Sequence, residues 1–341
     1  MSRICEVTGK AGLVGNMVSH SNRKKLMKQY LVLLLMAMLG ANAFAQRDLM
    51  LSQQFFSRLN INPAATGNTD DVDVFFIGRW QWMGVDHSPK TGVMNISNYF
   101  ESVRSGIGLS ASYDDLGYAN RTMNMKAAYA YHVNLNESML MSFGLSAGFL
   151  YHYFDPKKNY WLDPPELERE TLNFGECTAN FNPDMDFGVE LAMPKLMFGA
   201  SVNHLLYNED KVTTSVPGRQ FNAYVRALLT PSETIDFAPA LVYVHRNSMN
   251  RMELNMLLFY KRFLWFGATY RPDLNGVDLF SSHVIQFCVG FEYQKFRVGC
   301  AFDLGLGDVA QSINSPGSGE ILLSWRIAKK VKGGGARFLE D

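Results

Sequence analysis

Between Met139 and Tyr151 the chain alternates with a period of two. Met141, Phe143, Leu145, Ala147, Phe149 and Tyr151 are apolar or aromatic, and Ser142, Gly144, Ser146 and Gly148 between them are small or polar. Successive side chains leave a β-strand on opposite faces, so this pattern predicts a strand with one face toward hydrocarbon and one that tolerates water. The run exceeds the five or six residues usual in a globular sheet, and roughly ten alternating residues cross a bilayer at a tilt.

The pattern repeats along the chain. Strands are predicted near 72–83, 91–101, 105–114, 121–134, 138–153, 184–193, 195–207, 219–230, 235–246, 250–261, 263–272, 281–293, 295–305 and 320–328. Met123, Met125, Ala127, Tyr129, Tyr131 and Val133 oppose Asn124, Lys126, Ala128, Ala130 and His132. Met185, Phe187, Val189 and Leu191 oppose Asp186, Gly188 and Glu190. The runs at 72–83 and 235–246 are apolar on both faces, which leaves their registers open. The connections sort by length. Those at 102–104, 135–137, 231–234 and around 194, 262 and 294 are tight; those at 84–90, 115–120, 154–183, 208–218, 273–280 and 306–319 are longer, and only 247–249 breaks the rule. An even set of about fourteen strands with short turns on one rim and long loops on the other predicts an all-β transmembrane antiparallel β-barrel over 71–328. Short turns are expected in the periplasm and long loops outside, with both termini periplasmic.

Residues 46–70 do not alternate, and Asn62-Pro63 and Thr66-Gly67-Asn68 are turn signals. They are expected at the periplasmic mouth or inside the lumen. Residues 27–45 carry Lys28, an apolar run from Tyr30 to Leu39 and Ala43-Phe44-Ala45, a secretory signal peptide with cleavage expected before Gln46. Residues 1–26 resemble the start of a small basic protein of the bacterial large ribosomal subunit. They are expected to be a misplaced start or fused frame ahead of a true initiator at Met27. Residues 329–341 read as a flexible tail, and the acidic, proline-bearing 154–183 connection as a solvated extracellular loop, with a specific binding loop as the alternative.

Composition narrows the class. A chain 47% hydrophobic with mean hydropathy −0.08 is too polar for a bundle of membrane helices, and 13% aromatic content suits a β-rich protein. Formal charge +0 offers no basic footprint for nucleic acid. Cys288 falls on a polar face with Gln286, and Cys300 on an apolar face with Val298, so no disulfide is expected between these neighbouring strands.

No catalytic, cofactor or metal constellation stands out. His87, His132, His152, His204, His245 and His283 are scattered without metal-ligand spacing. His132 faces the lumen, where it could meet a serine as in a membrane lipase. Glu190 and Glu292, with Arg226 and Arg297, are expected to form a lumen network.

An ordered series of motifs resembles the PorP/SprF family. It begins with L-S-Q-Q-F-F-S-R-L-N-I-N-P-A-A-T-G, carrying Gln53, Asn62, Pro63, Ala64 and Gly67. G-R-W-Q-W-M-G follows, with Arg79 and Trp82, then Pro89 and Thr91. F-N-P-D-M-D-F-G-V at 181–189 and L-W-F-G-A-T-Y-R at 264–271 are later echoes. The likeness covers 46–328; the preface at 1–26 departs from it. The resemblance implies a non-enzymatic outer-membrane barrel of Bacteroidota associated with type IX secretion and, in gliding species, motility. Implied partners are outer-membrane lipid, periplasmic and lipoprotein components of that machine, and secreted adhesins with a C-terminal sorting domain. The nine named residues become structural or partner-contact candidates. A passive porin is the alternative, and a membrane-embedded hydrolase is a further one.

Overall fold

The computed structural model describes residues 51–117, 120–155, 177–206, 218–246, 249–272, 274, 282–307, 315 and 317–328. The stretches read from the sequence as extension (1–26), signal peptide (27–45) and tail (329–341), and most of the 154–183 connection, lie outside the described residues. The strands are β1 (Val72–Trp80), β2 (Lys90–Phe100), β3 (Ser105–Asp115), β4 (Asn120–Asn136), β5 (Met139–Phe154), β6 (Thr178–Ala192), β7 (Leu196–Asn203), β8 (Gln220–Ala227), β9 (Leu229–Ser232), β10 (Ile235–Arg246), β11 (Met249–Tyr260), β12 (Leu264–Pro272), β13 (Ser282–Tyr293), β14 (Phe296–Gly307) and β15 (Ser318–Ile327).

Every pairing is antiparallel, and the sheet closes on itself where β1 meets β15, from Val72 opposite Ile327 to Trp80 opposite Gly319. The short β9 pairs only with β10, so fourteen strands form the ring. Closure removes the unpaired edges that a bilayer would not tolerate. Two departures from expectation stand out. β1 ends at Trp80, which moves Trp82 into a connection. β6 begins at Thr178 despite Pro183, because β7 pairs with β6 only from Phe187 onward. The proline therefore sits where a strand end has one partner, and its missing N–H is tolerated there.

The short connections 101–104, 137–138, 193–195, 261–263 and 294–295 share one rim, and the long ones share the other. Gln294 and Lys295 both have positive φ, 47° and 69°. A two-residue hairpin needs this conformation to match strand twist. The outward face carries the apolar half of the alternation, including Leu109, Phe143, Leu145, Phe187, Phe287 and Leu323. Aromatics gather outward at the short-turn rim, among them Tyr260, Phe263, Tyr293, Phe296 and Trp325, in the manner of a membrane-interface girdle. Cys288 points inward and Cys300 outward, and both thiols are free.

β1 and β10 are apolar on both faces for a reason inside the barrel. Phe75 and Ile77 of β1 and Ala238, Ala240, Val242 and Val244 of β10 are buried against residues 51–61, which occupy the lumen.

Candidate functional site

Residues from Leu51 to Gly67 are almost all buried, an unusual fate for a segment without long regular structure. Buried backbone groups need partners. Here three short 3-10 turns, Gln54–Phe56, Arg58–Asn60 and Pro63–Ala65, supply some of them. The last is set by sequence. Asn62 caps it, its Oδ1 accepting from the Ala64 N–H at 2.9 Å, and Pro63 fills the first position, where no N–H is wanted. The Thr66 hydroxyl donates to the Pro63 carbonyl at 2.7 Å, and Gly67 turns the chain at φ +68°.

The first end of this lumen segment is held by charge. The Ser52 N–H donates to Glu320 at 2.7 Å and its hydroxyl to Asp303 at 2.9 Å. Arg79 lies 2.6 Å from Glu320 and 2.8 Å from Asp303. Arg271 reaches Glu253 at 3.0 Å and Asp303 at 3.2 Å, and Gln54 donates to Glu253 at 2.7 Å. Each of these side chains is buried, so each ion depends on its partners for solvation. Ser52 thus touches β14 and β15 and, through the Arg79 guanidinium at 2.9 Å, β1. It lies across the seam that closes the ring.

The middle is mixed. Arg58 pairs with Glu190 at 3.2 Å, and the Tyr224 hydroxyl donates to the same carboxylate while accepting from Asn62 at 3.1 Å. Phe56 packs on Trp265 with ring centroids 4.5 Å apart, and Arg297 lies 4.8 Å from the Phe56 ring centre. Phe55 meets Tyr224 edge-on. The expected partnership of Glu190 and Glu292 resolves into two groups. Glu190 answers Arg58, whereas Glu292 pairs with Arg297 and Arg326 near the short-turn rim.

The second end is held by close approach. A Cβ at Gly144 would stand 2.1 Å from the Ala64 nitrogen, one at Gly188 1.9 Å from Asn62 Oδ1, and one at Gly106 2.0 Å from the Thr66 carbonyl oxygen. Neither Ala64 nor Thr66 can yield easily, because the obstructing atoms are backbone. These glycines therefore form the groove into which the segment fits.

His132 does meet a serine, Ser142, 2.7 Å from Nδ1. Its Nε2 faces the Thr66 carbonyl at 3.0 Å, and both side chains are sealed beneath the lumen segment. The pair is used as packing. Asp184, Asp186 and His204 bring three possible metal ligands within 4.8 Å of one another. The Lys126 ammonium lies 2.7 Å from each carboxylate and already supplies the cation.

Of the nine motif residues, Gln53, Asn62, Pro63, Ala64, Gly67 and Arg79 come together in the lumen. Trp82, Pro89 and Thr91 sit at the long-connection rim. There the Trp82 N–H donates to Ser318, the Pro89 carbonyl accepts from Gln81, and Thr91 donates to Asp114 at 2.5 Å. Sequence reasoning missed Arg58, Tyr224, Asp303, Glu320, Arg271 and the three wall glycines. Arg58, Gly188 and Arg271 stood in quoted motifs, but nothing in those motifs shows what each would meet across the barrel.

A family model described as type IX secretion system membrane protein PorP/SprF matches residues 43–325. Among solved structures, a deletion mutant of the monoaromatic hydrocarbon channel TodX is similar over 82% of this chain and 95% of its own, at 10% identity and a TM-score of 0.49. The toluene transporter TbuX of Ralstonia pickettii is similar over 78% of this chain and 92% of its own, at 8% identity and a TM-score of 0.48.

Proposed function

The chain belongs to the PorP/SprF family of type IX secretion system membrane proteins, and from that premise we propose that it works through its surfaces and not through its lumen. It is an outer-membrane barrel with its short turns in the periplasm and its long connections outside. It serves the secretion machine as an accessory or attachment component for adhesin-type clients carrying a C-terminal sorting domain. In gliding species it supports motility. Periplasmic and lipoprotein components of the machine meet it from the short-turn side. It is not an enzyme.

The observation that carries this reading is the filled lumen. A conducting path would require residues 51–67 to leave, exposing the paired charges Arg58–Glu190 and Arg79–Glu320 and the groove of Gly144 and Gly188. Breaking even one such buried pair costs about 3–5 kcal/mol. A porin at rest has no such obstruction.

Affinity purification from detergent-solubilised outer membranes, with mass spectrometry of what accompanies the protein, tests the proposal. Co-purifying ring, lipoprotein or adhesin components support it. A protein that emerges alone and gives steady conductance in planar bilayers would replace it with the porin reading.

A further inference from the structure

At the long-connection rim, β6 stands taller than the strand beside it. It is 15 residues long and β7 is 8, and β7 pairs with it only from Phe187 to Ala192. Past Asn203 the chain turns at His204, whose φ is 59°, and the Leu205 N–H donates to the Met185 carbonyl at 2.8 Å. The backbone groups of Met185 therefore face the β7 side. Residues two apart in a strand turn their N–H and C=O to the same edge, so Pro183, Phe181 and Ala179 face that side as well. Among the described residues, no strand stands against them there. Their other side is firm. β5 pairs with β6 in unbroken register from Leu140 opposite Ala192 to Phe154 opposite Thr178, and β4 backs β5 as far as Asn120 opposite Phe154.

A strand edge of this kind is a template for another strand, and exposed edges are blunted by charge, bulges or proline. From Thr178 to Asp186 there is no Lys or Arg and no bulge against β5. Asp184 and Asp186 point inward and pair with Lys126. Pro183 removes one donor from the edge and keeps its carbonyl. The two faces beside the edge differ. Outward, Phe181 is 65% exposed, more than any other large apolar side chain among the described residues, and it stacks on Phe149 with ring centroids 4.8 Å apart. Inward, Asn182 Nδ2 is buried with no hydrogen-bond partner among the described residues.

We propose that the edge of β6 from Ala179 to Pro183 is a docking site for an extended polypeptide segment of another protein, which joins the sheet as an antiparallel strand beyond the end of β7. Phe181 and Ala179 each exchange a pair of hydrogen bonds with it, and the Pro183 carbonyl accepts one. Directly opposed residues of an antiparallel pair put their side chains on one face, so the residues bonded to Phe181 and Ala179 point outward. The segment therefore alternates. Its apolar residues carry the main-chain bonds and pack on Phe181 and Phe149, and the polar residues between them face Asn182. With the orientation proposed above, the site opens to the cell exterior, where a secreted polypeptide meets it; that location rests on the proposed function, and the pairing does not.

The full chain in phospholipid nanodiscs, with an acetylated and amidated peptide of three Thr-Val repeats, tests this. Amide hydrogen exchange is read at single residues. Without peptide, the N–H groups of Ala179 and Phe181 should exchange fast, and those of Asn180 and Asn182, which face β5, slowly. The peptide should slow Ala179 and Phe181 and leave Asn180 and Asn182 unchanged. A peptide N-methylated on its valines should lose this effect, and one N-methylated on its threonines should keep it, because only the outward set bonds to β6. Phe181→Pro takes one donor from the edge and spares the pairing with β5, and it should abolish the protection at Ala179. Heat-modifiable gel migration reports that the ring has folded, and Ala179→Pro, read at Phe181, replaces the first variant where it has not. Ala179 and Phe181 amides as slow as Asn182 before peptide is added would show the edge covered from within the chain and overturn the proposal. Fast amides that the peptide leaves fast overturn it too, as does protection that survives methylation of the valines. Failure in the purified barrel leaves the proposed function standing, since co-purification decides that separately.

Discussion

The two ends of the lumen segment are fixed by different physics. Around Ser52, five strands contribute Arg79, Arg271, Asp303, Glu253 and Glu320, and the grip is electrostatic. Around Asn62–Gly67 there is little charge, and the grip is the fit of backbone into places where Gly106, Gly144 and Gly188 have no side chain. Long charged side chains can follow a backbone that shifts slightly, so the first end tolerates small movements. A backbone lodged against glycine cannot shift without collision, so the second end sets register. Buried ion pairs add little net stability over apolar residues of the same shape. The charged end is therefore best understood as holding the segment to the wall, and the glycine end as fixing its register.

The largest expected effect tests the charged end. Arg79→Met leaves Glu320 and Asp303 facing each other with Arg271 alone, and should lower stability by about 3–5 kcal/mol, read as the urea midpoint of the barrel in lipid vesicles. Adding Glu320→Gln should restore part of that loss, because the stranded charge is what costs. Full additivity would show that the two residues do not act as a unit.

Gly144→Val comes next, at about 1–3 kcal/mol from overpacking against Ala64. No second substitution that removes charge should rescue it, and trypsin should gain access to Arg58 in the folded ring. A Gly144→Val barrel that keeps Arg58 protected would mean the groove is looser than its glycines require.

Asn62→Ala removes the cap of the Pro63–Ala65 turn and the donor to Tyr224 and the Val189 carbonyl, and should cost about 1–2 kcal/mol. The smallest effect is expected at the rim. Thr91→Val breaks only the partly buried contact with Asp114 and should stay under about 1 kcal/mol by the same urea measurement. Equal losses at Asn62 and Thr91 would erase the distinction between lumen and rim.

Much of the ring was legible because alternation reports which face each residue takes. Met141–Tyr151, Glu190, His132 and the inward Cys288 all fall on the faces their spacing implies. The contents of the lumen were not legible, since period two says nothing about what stands across the barrel. Gly144 and Gly188 looked like small spacers on a polar face, yet each backs onto the chain. Arg58 lay in a non-repeating stretch, and Glu190 matched several arginines equally well until the fold brought Arg58 beside it. β1 and β10 were ambiguous for the same reason: their second apolar face packs on a segment that no pattern within those strands reveals.

Ser52 touches the last two strands directly and the first through Arg79, and this constrains the order of assembly. The contact between Val72 and Ile327 joins nearly the whole length of the barrel chain, which makes ring closure the entropically slowest loop to form. A ring that closed empty would bury Glu190 without Arg58 and then have to swallow a peptide through a lumen lined with side chains. A ring that zips around the peptide meets neither obstacle, and pulse proteolysis should find Arg58 protected at the moment β1 and β15 join. The segment is then a mandrel, and the barrel is wound onto it.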